Sequence, residues 1–271
     1  MQPMLNIALR AARAAGEEIS RSVERLDLIK SEQVSVADFV KTTCQNAEQL
    51  VVQTIQKAYP SHTIIGEYTG EHKPLREGTP FTWHLNPIDS ISNFANGLPA
   101  IALCVAGYNE NNRIEHAVIH NPMAGEEFTA SRGSGAQLNG KRIRVSNHRT
   151  IEGALLGTGF LGRKSDKPYL NEFQDIFKNI TLANGQVYSG GSAALNLAYT
   201  AAGRLDGFYQ IGLSQWEMEA GLLIVQEAGA LVGDLSGGNN YRESGNLVCG
   251  NAKMFKALLK TIRPSLSADL K

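Results

Sequence analysis

Three stretches of the chain carry residue types that could do chemistry. Ile64-Ile65-Gly66-Glu67 reads as a strand that ends in an acid. Trp83-His84-Leu85-Asn86-Pro87-Ile88-Asp89-Ser90-Ile91-Ser92-Asn93-Phe94 reads as a strand running into a proline turn, with a helix beginning at Asp89 or Ser90. Gln215-Trp216-Glu217 opens a helix after a glycine-containing turn. Acids at strand ends that face the amino end of a helix suit a hard cation and a phosphate. Mg2+ takes oxygen ligands in octahedral geometry, and the free N–H groups of a first helical turn bind anions. Each piece also has a plainer reading. An Asp before a helix is more often an N-cap, and a Glu closing a strand is more often simply solvated.

The surrounding pattern predicts the elements that must position these residues. Leu5, Ala8, Ala11, Ala12, Ala15, Ile19 and Val23 recur at helical spacing, so an amphipathic helix runs from Pro3 to about Leu26. A second covers about Ala37 to Tyr59 and stops at Pro60. Thr63–Gly66, Phe81–Leu85, Ala100–Tyr108, Glu115–His120, Glu127–Ser131 and Gln137–Leu138 read as strands between Gly, Asn and Pro turns. They predict an antiparallel sheet under the two opening helices. The second half alternates: strands at Leu155–Thr158, Phe208–Ile211, Ala230–Asp234 and Leu247–Cys249, with helices at about Leu170–Asn179, Ser192–Ala202, Gln215–Ala228 and Ala252–Ile262. Ser192 is placed to cap the second of these helices. A soft boundary near residue 147 divides the chain into 1–147 and 148–271.

Composition excludes several classes. Among 271 residues, 26 Lys and Arg balance 26 Asp and Glu, which argues against a protein that coats nucleic acid, although a local patch is compatible with it. No basic-then-apolar leader opens the chain, and the apolar run near Leu98–Gly107 is about half a membrane span. Cys44, Cys104 and Cys249 form neither a disulfide framework nor a zinc motif. A cytoplasmic protein is expected. The six histidines are scattered and read as surface or turn residues. Lys141-Arg142-Ile143-Arg144 reads as a strand whose alternate residues face water, with an acidic partner as the less ordinary alternative; Gly162-Arg163-Lys164 reads as a loop.

Taken together and in order, the three stretches resemble the signature of the inositol monophosphatase family. So do Tyr59-Pro60-Ser61-His62-Thr63-Ile64, Gly133-Ser134-Gly135-Ala136, Asn139-Gly140 and Ala228-Gly229. The resemblance implies a layered αβαβα α/β fold, with an antiparallel sheet in the first half and a mixed sheet in the second. It implies Mg2+ as cofactor and an inositol phosphate as substrate. Met4-Leu5-Asn6-Ile7-Ala8, Gly191-Ser192-Ala193-Ala194-Leu195, Leu197-Ala198-Tyr199, Ala202-Gly203-Arg204 and Gly250-Asn251 are similar to one gamma-proteobacterial branch of the family. That branch joins Nus factors and RNA polymerase in antitermination on ribosomal RNA operons and binds the acidic repeat of NusA. Members are monomers or homodimers.

By this resemblance Glu67 and Asp89 take the catalytic positions. Glu67, Asn86, Ile88, Asp89 and Glu217 take the metal positions. Ile88, Asp89, Ser90, Ile91, Tyr188, Ser192, Gln210 and Glu217 take the substrate positions. The chain departs from the family at many of them. Active members read Asp-Pro-Ile/Leu-Asp-Gly-Thr where this chain reads Asn86-Pro87-Ile88-Asp89-Ser90-Ile91. Ile91 has no hydroxyl to orient water. Cys44 stands at the acid of an additional metal position, Tyr68 at an acidic neighbour of Glu67, and Glu217 at an Asp. Gln210 matches a Glu that touches sugar hydroxyls, and Tyr188 an Arg near substrate and subunit contact. Three carboxylates remain of five. One opposite charge at about 4 Å is worth about 4 kcal/mol at an effective dielectric near 20, so divalent binding is expected to be weak or lost.

Three functions follow. A scaffold acting in transcription needs no phosphatase chemistry and fits the altered site. A weak Mg2+-dependent inositol-1-phosphate phosphatase would have to tolerate Asn86, Cys44 and Ile91. A sugar-phosphate sensor would have to bind without the contacts that Gln210 and Tyr188 replace. A softer ion held by Cys44, Asn86, Asp89 and Glu217 is a further alternative, although a Cys on an apolar helix face more often packs.

Overall fold

The computed structural model describes residues 2–32, 35–159 and 164–270, with the side chains of 164–166 left aside. Helix α1 (Pro3–Glu24) starts with proline at its first turn, where a missing N–H costs nothing, and buries its alanine-rich face. A short α2 (Leu26–Ser31) follows. Helix α3 (Val36–Ala58) is capped by Ser35, which accepts from the Asp38 N–H, and ends where Tyr59 leaves the helical region (φ −132°, ψ 74°) before Pro60. Then come β1 (Thr63–Gly66), β2 (Gly70–His72), β3 (Phe81–Asp89), the five-residue α4 (Ile91–Ala95), β4 (Ala102–Asn109), β5 (Ile114–Asn121), β6 (Glu126–Ser131), β7 (Gly135–Leu138) and β8 (Lys141–Arg142). They form one eight-stranded sheet in the order β2-β1-β3-β4-β5-β6-β7-β8.

The second half contributes β9 (Leu155–Thr158), α5 (Leu170–Leu182), β10 (Gln186–Ser189), α6 (Ala193–Ala201), β11 (Gly207–Gln210), α7 (Gln215–Glu227), β12 (Leu231–Gly233), α8 (Tyr241–Ser244), β13 (Leu247–Gly250) and α9 (Ala252–Ile262). Its five-stranded sheet runs β10-β9-β11-β13-β12 and mixes parallel and antiparallel pairs.

Three apolar clusters separate five layers. The first lies between α1 with α3 and the large sheet. The second places α6 and α7 between the two sheets. The third joins the small sheet to α5 and α9. This is the αβαβα order expected. The large sheet departs from a purely antiparallel one at a single pair, β1 with β3, which run parallel. Strand β2 returns the chain along the outer side of β1, so eight residues suffice to start β3 in the direction of β1. The first sheet is therefore mixed as well. Strands β2 and β10 and helices α2 and α8, all short, escape the sequence pattern.

Candidate functional site

Strand β3 runs four residues past the expected stop at Leu85 and carries Asn86 and Asp89 within it. Its register with β4 shifts between them: Asn86 faces Cys104 and Asp89 faces Ala102, so β3 holds one extra residue there. Pro87 cannot donate to a ladder, which suits it to a bulge. Side chains three apart on a regular strand point to opposite faces; the bulge brings both onto the α6/α7 side. Asn86 Nδ2 donates to the Trp216 carbonyl at 3.2 Å, and Asp89 meets the amino end of α6. The helix expected at Asp89 or Ser90 begins instead at Ile91, because Ser90 adopts a left-handed conformation (φ 72°, ψ 69°) that ends the strand and turns the chain.

Asp89 is buried and Ser192 caps α6. The Ser192 hydroxyl donates to Asp89 Oδ2, and the Ala194 N–H donates to the same oxygen at 2.9 Å. Ser192 Oγ in turn accepts from the Leu195 N–H at 3.1 Å. A carboxylate at a helix amino end is favoured by the orphan N–H groups and the helix dipole. Asp89 thus tethers the large sheet to the central helices.

Glu217 is the third residue of α7, after the cap Ser214. Its Oε2 accepts from the Ser214 N–H at 2.7 Å, which closes a capping box. Ser-x-x-Glu ahead of an apolar run is the sequence form of that box; Ser214 and Glu217 spell it, and the signal was available without a structure.

Glu67 follows β1, with its backbone N–H donated to the Leu85 carbonyl at 3.1 Å. The residue as a whole is exposed, while its carboxyl end lies within reach of Glu48, Asp89 and Glu217. Its carboxyl is raised to about 7, first by lost solvation and then by the negative fields of Glu48, Asp89 and Glu217. Glu48 is the residue that sequence reasoning missed. It is fully buried on α3 and accepts from the Tyr68 N–H at 2.9 Å, the Thr69 N–H at 2.8 Å and the Thr69 hydroxyl at 2.6 Å. It fixes the turn that carries Glu67. A helical Glu gives no such signal in sequence; the room for it comes from Gly66, where a Cβ would stand 2.3 Å from Glu48 Oε2.

Cys44 is buried in the first core cluster, hydrogen-bonded with the Tyr68 side chain. Burial, with Glu48 and Glu67 nearby, pushes its thiol up to about 12. Cys104, opposite Asn86, is pushed well above the usual range by burial and by Asp89 and Glu67. Both stay protonated at neutral pH. Among the described residues no three of His, Cys, Asp and Glu are placed to share one ion.

The expected substrate positions divide. Ile88 is buried in the first core cluster, and Ile91 packs half-buried against it. Tyr188 lies half-buried on the edge strand β10, its ring against Gly190. Gln210 is buried on β11 against Gly159, with its Oε1 accepting no hydrogen bond among the described residues. Asn86 Oδ1 is similarly orphaned.

The expectation of surface histidines is corrected: His62, His116 and His120 are buried. His62 Nδ1 accepts from Trp83 Nε1 at 3.0 Å and the ring stacks on Tyr59. His116 pairs with Ser131 Oγ at 2.9 Å. Burial lowers all three below the usual imidazole range. Lys141 and Arg142 form a strand of only two residues, and Arg144 leaves it to donate to the Glu227 carbonyl at 3.3 Å. Of Gly162-Arg163-Lys164, the first two residues and the Lys164 side chain lie outside the described residues. No helix among the described residues is long and apolar enough to cross a membrane.

Comparison with known proteins follows the same lines. Residues 1–267 match the inositol monophosphatase family. The chain is 48% identical over 271 residues to the Nus factor SuhB of Pseudomonas aeruginosa, covering all of both chains. It is 44% identical to the Nus factor SuhB of Escherichia coli, again over all of both. Among solved structures it resembles the extragenic suppressor protein SuhB of Bartonella henselae (TM-score 0.84, 29% identity, 98% of this chain and 100% of that one). The inositol monophosphatase of Anabaena is similar (TM-score 0.81, 27% identity, 98% and 97%).

Proposed function

The chain belongs to the inositol monophosphatase family, and we propose that it acts as a Nus factor in transcription antitermination, with phosphomonoester hydrolysis weak or absent. The observation that carries this reading is 44% to 48% identity over the full length with relatives named Nus factor SuhB. On this reading its partners are NusA and the RNA polymerase complex, and its place is the cytoplasm.

The site supports the second half of the proposal by its donor chemistry. Members of this family generally use Mg2+. Here Asp89 Oδ2 takes two donors from α6, and Glu217 Oε2 takes the Ser214 N–H. Asn86 offers a neutral oxygen in place of an anionic one, and Cys44 a protonated, soft sulfur. These donors fit a resident Mg2+ poorly. No step of a metal-assisted hydrolysis is assigned to them. What the residues do instead is hold one another: Asp89 and Ser192 join sheet to helix, Glu217 closes α7, and Glu48 braces the turn of Glu67. Glu67 can exchange a proton near pH 7, yet a lone general base supplies only about 100- to 10,000-fold, far below what phosphate-monoester hydrolysis requires. Gln210, buried in the sheet, is poorly placed for the sugar contact a phosphatase or sensor would use.

Two measurements test the reading. Phosphate release from inositol 1-phosphate is followed across a wide Mg2+ titration, with Glu67→Gln as control. Binding to purified NusA is measured on the same preparation. NusA binding without release above the control is expected. Mg2+-dependent release that vanishes in the control, with no NusA binding, sinks the proposal in favour of an inositol-1-phosphate phosphatase.

A further inference from the structure

Helix α9 buries Met254, Phe255, Leu258 and Ile262 against the small sheet and α5. The opposite face carries Lys253, Lys256 and Lys260, and Arg263 continues it just past the helix end. The spacing of three, four and three residues keeps all four on one side, over about 15 Å at about 1.5 Å per residue. All four are exposed, and none is ion-paired among the described residues. No acid occurs between Ala252 and Ser267. Beside the helix lies a cavity of about 400 Å³ lined by Ser236, Lys256, Lys260 and Arg263, with Leu259 and Pro264 as its apolar wall. Asp234, in the adjoining turn, directs its carboxylate to the backbone N–H groups of Ser236, Gly238 and Asn240.

Helix stability does not account for this stripe. Cations in a last turn complement the helix dipole, so Lys260 and Arg263 could serve α9 itself. Lys253 sits in the first turn, where a positive charge opposes the dipole. Three lysines on successive turns also repel one another. Lys253 and the mutual repulsion therefore gain nothing from the helix itself, and the four aligned cations together favour an external anion.

We propose that the exposed face of α9, with the adjoining cavity, is a contact surface for the phosphate backbone of a nucleic acid duplex. The charges are spaced in a line, as backbone phosphates are. Lysine serves as a point charge toward phosphate without needing a fixed geometry. Two apolar residues are too few for the desolvated core that a protein partner would use. The face carries no aromatic ring on which unpaired bases could stack. Contact is therefore electrostatic and indifferent to sequence. The inference goes beyond the function proposed above and does not depend on it.

The test measures fluorescence anisotropy of a labelled 20-base-pair RNA duplex and of a DNA duplex of the same length, from 50 to 200 mM salt. The parent protein is compared with the triple variant Lys256→Gln, Lys260→Gln, Arg263→Gln. All three side chains are exposed, so the variant should keep the parent's melting temperature. The expected result is binding at 50 mM salt that weakens about tenfold or more in the variant. The slope of log K against log salt should fall by about 2 to 3, near one for each phosphate contact removed. The RNA and DNA arms identify which duplex is preferred. No binding at 50 mM salt, or an unchanged affinity and slope in the variant, overturns the proposal. So does polyglutamate bound as tightly as either duplex, or an equal loss in Lys141→Gln, Arg142→Gln.

Discussion

At the scale of single residues, two features have consequences that can be measured. Ser90 holds a left-handed conformation that costs an L-residue about 1–2 kcal/mol. Glycine adopts it freely but loses about 0.5–1 kcal/mol more backbone entropy on folding. Ser90→Gly should therefore stabilise the protein by up to about 1 kcal/mol in urea unfolding, and Ser90→Ala should not. The second feature is a pair of opposed pH effects. His62, His116 and His120 have imidazoles lowered by burial, so the unfolded chain takes up protons first as pH falls below about 6.5. They withdraw stability on acidification. Glu67, raised to about 7 from an unfolded value of 4.5, works the other way. Between these values the folded state holds the extra proton, and stability is lost as pH rises. Glu67→Gln should unfold at higher urea than the parent at pH 8, and should lose stability more steeply between pH 7 and pH 5. Parallel profiles for parent and variant would refute this assignment.

At the scale of elements, the site shows where sequence is readable. The acids at 67, 89 and 217 stand out because each sits at the junction of an apolar run and a turn. Pro87 predicts a break after Leu85; that the break is a bulge within β3, with Asn86 and Asp89 on one face, is not legible in it. The burial of Glu48 was not readable, because it depends on Gly66 at the end of the next element, 18 residues on. The parallel pairing of β1 with β3 was hidden too, since it depends on the three-residue β2. Helix α7 offers the direct test of what Glu217 does. A capping box accepts Glu or Gln at its third helical position. Glu217→Gln should leave thermal stability within about 0.5 kcal/mol of the parent. Glu217→Asp, one methylene shorter, should cost about 0.5–2 kcal/mol by loosening the cap. If Glu217 were chiefly a metal ligand, Mg2+ would raise the melting temperature of the Asp variant and the Gln variant would lose any such shift.

At the scale of the whole molecule, the central layer decides how the protein unfolds. Helices α6 and α7 pack on both sheets within one apolar cluster, so neither sheet keeps its core if that layer leaves. Asp89 crosses this junction, reaching from the large sheet to the cap of α6. Ser192→Ala removes both the cap of α6 and one of the donors to a buried carboxylate. A hydrogen bond to a charged group contributes about 1.5–3 kcal/mol, so the loss should exceed that of an ordinary N-cap. Asp89→Asn should cost a similar amount, and the double variant should cost less than the two single losses added, because both act through one contact. Calorimetry is the measurement that separates a local brace from a whole-molecule one. If the central layer binds the two sheets into one cooperative unit, each variant should show a single transition, shifted down, with calorimetric and van't Hoff enthalpies in agreement. A shoulder that moves alone in Ser192→Ala would mean that the halves unfold separately, and that the Asp89–Ser192 contact joins two units rather than completing one.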